Sequence, residues 1–162
     1  MKSSLYLRTL VFGITDSLVS MVGLLAGIDI AGVSQDQLIL TGIIYAFVEA
    51  FSMAVGNYLS EASAEEYESH RPAQGTGALA AAILMFVVYV VSSFIPLGPY
   101  FLYAGANALT ISITVSVLVL FVLGVVSAAF AKLPLVGRGV RMAILGGAAI
   151  LIGAVVGLFF KA

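Results

Sequence analysis

The sequence contains no cysteine, and only 9% of its residues are charged. Without cysteine, neither a disulfide framework nor a thiolate metal site is available. Any bound metal must therefore be held by oxygen, thioether or imidazole groups, and the chain has a single histidine, His70. An ordinary soluble domain has about 25% charged residues. The scarcity of charge therefore argues against a soluble protein.

Apolar residues make up 62% of the 162 residues, and the mean hydropathy is +1.17. A helical membrane span needs about 20 predominantly apolar residues. Five such blocks can be placed, at Leu10–Ile30, Leu38–Ser60, Gly77–Ile95, Thr110–Ala131 and Val140–Phe160. The sequence therefore predicts an all-α, polytopic membrane protein that forms one transmembrane domain over residues 1–162. A short acidic loop, residues 61–76, would join the second and third spans.

The basic residues predict how the chain is oriented in the membrane. Short loops on the cytoplasmic side are enriched in lysine and arginine. With five spans, all basic residues but one fall on the same side, and these are Lys2, Arg8, Arg71, Lys132, Arg138 and Arg141. Only Lys161 falls on the other side. We therefore expect a cytoplasmic N-terminus and a C-terminus that is outside the cell or lumenal.

The second apolar block carries Glu49, Met53, Asn57 and Glu61 at four-residue steps. Residues four apart lie on the same face of a helix. A carboxylate at membrane depth is costly unless it faces protein, water or an ion, and it therefore suggests a functional site. Thioether beside carboxylate suits Fe²⁺ or Mn²⁺ better than Mg²⁺ or Ca²⁺. We predict metal ligands at Glu49, Met53 and Asn57; the alternative is a helix-packing seam with a protonated Glu49.

The first apolar block is interrupted by Asp16. This interruption, and the lack of a small-residue cleavage site, distinguish the block from a signal peptide and predict a retained first helix. Intramembrane acids usually face a cavity or a partner, so we predict that Asp16 points inward as a further metal ligand. The alternative is a residue near the interface that bonds to backbone or caps a helix.

Two pairs of glycines predict close helix packing. Gly23 and Gly27 lie four residues apart in the first block, as do Gly153 and Gly157 in the fifth. Small residues at this spacing let helix backbones approach closely, and a seam between two copies of the chain is one use of them. A pathway at a two-fold axis would double the number of ligands. We therefore expect a homodimer.

The only strongly polar stretch follows the second block and places Glu61, Glu65 and Glu68 on one helical face. An acidic patch at a cytoplasmic pore mouth would concentrate cations there by its field. The alternative is a solvated end of a membrane helix without a role in transport. At the opposite end of the bundle, we expect Asp29 and Asp36 to be solvated.

Two motifs resemble those of the vacuolar iron transporter family: VFGITDSLVS at residues 11–20 and SMAVGNYLS at residues 52–60. IPLGPY at residues 95–100 is similar to a further motif of the family. The resemblance implies a five-helix protomer in a homodimer, which exchanges protons for Fe²⁺, and often Mn²⁺, so that metal leaves the cytoplasm. The acid of the family's first helix falls on Asp16, and the methionine of its second helix falls on Met53.

The chain departs from the family pattern in three places. The family commonly has Asn-Asp-Gly where this chain has Thr15-Asp16-Ser17, and often Gly-Glu-Tyr where it has Gly56-Asn57-Tyr58. The second difference removes a carboxylate. Many members also carry a long cytoplasmic helical domain that captures metal between the second and third helices, and here only residues 61–76 take its place. The resemblance therefore implies a short member that lacks this domain.

These features predict a transporter that exports Fe²⁺ or Mn²⁺ from the cytoplasm by proton antiport, with the metal as substrate and no resident cofactor. The alternatives are a passive divalent-cation channel and a non-transporting structural subunit of a membrane complex. No nucleophile and base pair and no HExxH motif suggest an enzyme, and no dense basic patch suggests nucleic acid. The expected location is the cell membrane in a prokaryote and the vacuolar membrane in a eukaryote.

Overall fold

Helices account for 88% of the chain in a computed structural model, which describes residues 2–73, 75–103 and 105–161 and contains no strand in that part. The helices are α1 Lys2–Ile30, α2 Gln35–Ser69, α3 Thr76–Leu97, α4 Pro99–Leu102, α5 Ala106–Phe130 and α6 Leu135–Phe159. All except the short α4 are long and apolar enough to cross a membrane. The all-helical class and the five spans predicted from the sequence are therefore confirmed.

The helices extend beyond the apolar blocks that predicted them. Helix α1 begins at Lys2 rather than Leu10, and α2 continues to Ser69 rather than ending at Ser60. Apolarity marks where the hydrocarbon begins, whereas backbone hydrogen bonding continues a helix into the polar region. Most of the predicted loop at 61–76 is therefore the last part of α2, and residue 74 lies outside the described residues. His70, with a left-handed φ of 53°, ends the helix.

Pro96 lies inside α3, although the third span was predicted to end just before it. Its ring lacks the N–H that would bond the carbonyl of Ser92. The helix nevertheless continues for one residue more, and Ser112 of α5 donates a hydrogen bond of 2.6 Å from Oγ to the Pro96 carbonyl oxygen. Helix α5 thereby helps to hold the end of α3.

Helix α1 lies at the centre of the bundle and contacts α2, α3, α5 and α6. Its middle and C-terminal thirds carry side chains with no exposed surface, including Leu18, Met21, Val22 and Leu25. Helices α2 and α6 do not contact each other over the described residues. A groove of about 570 Å³ lies along α1 between these two helices. Its lining is mostly apolar and includes Ser20 and Tyr45. This groove leaves part of the C-terminal half of α1 uncovered.

The four predicted glycines lie where α1 and α6 cross. A Cβ atom built on Gly27 would lie 2.8 Å from the carbonyl oxygen of Gly153, and one on Gly23 would lie 3.0 Å from that of Ala149. Gly157 in turn faces the backbone of Gly27. Real Cβ atoms almost never approach this closely, so the two backbones are in direct contact. The two glycine pairs therefore face each other within one protomer.

A hydrogen-bonded clamp ties the ends of α1, α2 and α4 together. The Tyr100 hydroxyl donates to Asp29 Oδ2 at 2.9 Å, and Gln35 Nε2 donates to the carbonyl oxygens of Tyr100 and Tyr103 at 2.6 and 3.0 Å. Burial and the neighbouring carboxylate raise the pKa of Tyr100, so the phenol stays protonated as a donor. The expectation that Asp29 is simply solvated is therefore wrong, whereas Asp36 is exposed.

The glycine crossing predicts a sharp contrast between two substitutions in α6. Gly153→Ala places a methyl group against the Gly23 backbone and should lower the free energy of unfolding by about 1–3 kcal/mol, as overpacking does. Gly147→Ala, in the same helix, meets nothing within 4 Å and should be neutral or stabilising, because alanine favours helix. Thermal unfolding of the detergent-solubilised protein measures both. Equal melting temperatures for the two variants would contradict the crossing.

Candidate metal site

The predicted stripe on α2 lies along the border between its packed and exposed faces. Glu49, Met53 and Asn57 are all half-buried, next to Ala46 and Ala50, which are fully buried. The opposite side of the helix carries exposed apolar residues, namely Ile44, Phe47, Val48, Phe51 and Val55. The stripe is therefore turned toward α1 at its edge, where an ion or water can reach it.

Asp16 and Glu49 come together in the middle of the bundle. Both side chains are half-buried, and their carboxyl groups are near enough to interact electrostatically. Gly13 and Ser17, which lie close to Asp16 on α1, are buried, and Gly13 faces Met85 and Val88 of α3. Two carboxylates that share a membrane-embedded site repel each other unless a proton or a cation lies between them. This pair is the strongest candidate for a cation-binding centre.

A cluster of hydroxyl groups lies near Asp16. Ser20 Oγ and the Tyr89 hydroxyl are 2.8 Å apart, and Tyr89 is 0% exposed. The Tyr45 hydroxyl and the Asp16 carboxyl group both lie within electrostatic range of Tyr89. The sequence analysis missed Tyr89. The signal that could have found it is a tyrosine in the middle of a span, since a buried phenol needs a polar partner.

The lower part of the α2 stripe lines a separate cleft, of about 370 Å³, between α1 and α2. Its lining residues are Arg8, Thr9, Phe12, Met53, Gly56, Asn57, Ser60 and Glu61. Neither Asp16 nor Glu49 is among them. The structure thus divides the predicted ligands into two groups: the acid pair of Asp16 and Glu49, and the cleft group that includes Met53 and Asn57.

The three acids predicted to attract cations at the mouth have different surroundings. Glu61 forms an ion pair with Arg8 of α1. Glu65 is half-buried, and Glu68 is exposed. A fourth acid, Glu66, accepts a hydrogen bond from the backbone N–H of Ala73 at 3.3 Å. Glu61 is therefore the acid of this group that belongs to the cleft.

One chain supplies only part of a metal's coordination shell. Over the described residues, no three histidine, cysteine, aspartate or glutamate side chains come together in a possible metal site. Asp16 and Glu49 offer two carboxylates, and Met53 lies one helical turn from Glu49 on α2. The other positions of a transition-metal ion would have to be filled by hydroxyl groups, water or a second copy of the chain.

Comparison with known families places the chain in a family. The VIT family profile matches residues 7–76 and 65–158, which include both groups of candidate ligands and most of the five long helices. The chain belongs to the VIT family of vacuolar iron transporters. The resemblance predicted from the motifs around Asp16 and Met53 is therefore confirmed. A search among curated proteins finds no match.

Membership of the VIT family assigns the chain to the transport of metal ions across a membrane. Five apolar helices and this membership identify an integral, multi-pass membrane protein. VIT-family proteins are transporters rather than enzymes. The acid pair, the hydroxyl cluster and the cleft therefore have to be understood as parts of a transport protein.

The hydroxyl cluster predicts a measurable loss in Tyr89→Phe. Removing the Tyr89 hydroxyl group leaves Ser20 without its hydrogen-bond partner on α3. The free energy of unfolding should fall by about 1 kcal/mol. The matched control is Tyr67→Phe, because Tyr67 is 82% exposed near the end of α2. Thermal unfolding in the same detergent compares the two. A loss in Tyr67→Phe as large as that in Tyr89→Phe would contradict a specific role for the cluster.

Proposed function

We propose that this VIT-family chain exports Fe²⁺ or Mn²⁺ from the cytoplasm in exchange for protons. Asp16 and Glu49 form the central binding site, and Met53 and Asn57 contribute ligands along the path to it. The observation that carries the proposal is the placement of two half-buried carboxyl groups near each other on neighbouring membrane helices. Such groups in a membrane mark ion pathways and proton relays.

The same carboxyl groups serve both ions. A metal binds the deprotonated carboxylates, and protonation releases it. Moving a divalent cation alone through a potential of 100 mV involves about 4.6 kcal/mol, twice the value for one elementary charge. Protons that move the other way offset part of this electrical work. Alternating occupancy of Asp16 and Glu49 by metal and protons is therefore a physically consistent antiport cycle.

The basic residues support a cytoplasmic position for one end of the bundle, from which we infer export. Arg8 on α1, Arg71 after α2 and Lys132 before α6 all lie at the end of the bundle where α1 begins. By the positive-inside rule this end faces the cytoplasm. Metal enters past Glu61, Glu65 and Glu68 and leaves at the opposite end, into the exterior of a prokaryotic cell or the lumen of a vacuole.

A homodimer completes the proposal. The acid pair of one protomer offers fewer ligands than a transition-metal ion takes up. The groove between α2 and α6 leaves one side of α1 open toward Ser20 and Tyr45. A second copy related by a two-fold axis would bring an equal set of groups to a shared pathway.

The test is Mn²⁺ uptake into liposomes that contain the purified protein and an entrapped metal-sensitive dye. We expect uptake to increase when the liposome interior is made acidic. Asp16→Asn and Glu49→Gln should each reduce the initial rate by at least about tenfold, the smallest loss typical of disturbing a metal ligand's surroundings. Asp36→Asn is the matched control, because Asp36 is exposed at the opposite end of the bundle, and it should transport normally.

Two other outcomes would replace the proposal. Uptake that follows the membrane potential and ignores the pH gradient would indicate a passive divalent-cation channel. Absence of Mn²⁺ binding and uptake by well-folded protein would indicate a structural subunit. In that case Asp16→Asn and Glu49→Gln would also leave the fold unchanged, as expected of protonated packing groups.

A further inference from the structure

The cleft between α1 and α2 contains two buried oxygen atoms that have no hydrogen-bond partner. These are Thr9 Oγ1 and Asn57 Oδ1. Both residues line the cleft, and Thr9 is only 1% exposed. Unsatisfied buried polar atoms are uncommon in native structures, and each one calls for a physical reason such as a bound water or ion.

Thr9 is exceptional among the threonines of the membrane helices. Three others donate from Oγ1 to the carbonyl oxygen one turn earlier, each at 2.7 Å, and they are Thr15, Thr41 and Thr114. This bond is the usual way for a threonine to satisfy its hydroxyl group inside a helix. The Thr9 hydroxyl makes no such bond, so its oxygen is available to a ligand in the cleft.

Arg8 and Glu61, which both line the cleft, form an ion pair. The two partners differ in exposure, since the Arg8 side chain is 67% exposed and that of Glu61 is 16% exposed. The guanidinium group can therefore move into solvent while the carboxylate stays in the cleft. A partly exposed ion pair is weak, which makes it easy for another cation to displace Arg8.

We propose that Thr9, Asn57 and Glu61 form a separate divalent-cation site at the mouth of the cleft, and that Arg8 is a tethered competitor for it. A hydroxyl, an amide carbonyl and a carboxylate supply three oxygen ligands, and the open cleft leaves room for the ion to keep several waters. Arginine is always charged, so it closes the site whenever no metal occupies it. The role of the bound ion as cargo depends on the proposed function.

The consequence is a two-step approach to the acid pair. An incoming cation displaces Arg8 from Glu61 and is held by the cleft oxygens. Met53, which lines the same cleft one turn deeper than Asn57, offers the next ligand toward Glu49. When the ion has moved on, Arg8 pairs with Glu61 again. The next cation must then displace Arg8 once more.

The experiment measures Mn²⁺ binding to the full chain in nanodiscs from the loss of the free Mn²⁺ paramagnetic resonance signal. Asp16→Asn and Glu49→Gln are combined as the background, so that the central pair does not contribute. In this background Arg8→Gln should tighten binding by about two- to fivefold, the range expected for a partly exposed ion pair. Glu61→Gln and Thr9→Val should each weaken it.

Three controls separate the site from simpler effects. Thr9→Ser keeps the hydroxyl group and should recover binding that Thr9→Val loses. Thr114→Val removes a hydroxyl that bonds within its own helix and should change nothing. If Arg8 acts through Glu61, Arg8→Gln should give no gain once Glu61→Gln is present, because coupled residues are not additive. Thermal unfolding checks that each variant is folded. If Thr9→Val does not fold, the comparison of Arg8→Gln with and without Glu61→Gln tests the proposal by itself.

A gain from Arg8→Gln that persists in Glu61→Gln would reduce Arg8 to a long-range charge and overturn the proposal. Unchanged Mn²⁺ binding in folded Thr9→Val would overturn it as well. Failure of the proposed function is distinguishable, because it appears as pH-independent uptake by the unsubstituted chain in liposomes. No Mn²⁺ binding in the Asp16 and Glu49 background, together with normal antiport by the unsubstituted chain, would overturn the cleft site alone.

Discussion

A carboxyl group at the depth of the hydrocarbon needs a polar partner, and two such groups in electrostatic contact need a proton or a metal ion between them. Asp16 and Glu49 meet this condition on neighbouring helices at mid-bundle. Their surroundings supply hydroxyl groups from Ser20 and Tyr89. In a closed, dry interior the same groups would only weaken the fold. Asp16 on α1 and Glu49 on α2 are both half-buried, a position that suits groups that exchange one ion for another.

The central position of α1 follows from this requirement. Thr9, Asp16 and Ser20 share one face of α1 by helical spacing, and this face is opposed by the stripe on α2. Gly23 and Gly27 continue the same face toward the C-terminal end of α1, where they pack against the backbone of α6. The groove between α2 and α6 leaves Ser20 accessible. One face of α1 thus carries polar residues opposite α2 and glycines that pack tightly against α6.

The sequence was sufficient for the spans, because hydrophobicity is a local property. Four-residue spacing, which is also local, was sufficient to place Glu49, Met53 and Asn57 along one stripe of α2. The sequence did not predict that α2 continues to Ser69, since helix ends depend on backbone bonding and capping rather than on apolarity. The spacing of Gly153 predicted close packing but not its partner on α1. Tyr89 and the pairing of Arg8 with Glu61 were missed because each depends on which helices lie side by side. The division of the α2 stripe into two groups has the same cause.

Diffraction from crystals grown with Mn²⁺, recorded where manganese scatters anomalously, tests the central claim most directly. The account predicts an anomalous peak within coordination distance of both the Asp16 and Glu49 carboxylates. A structure in which metal lies only at exposed acids such as Glu68, and in which Asp16 and Glu49 occupy separate, dry and closed pockets, would contradict it.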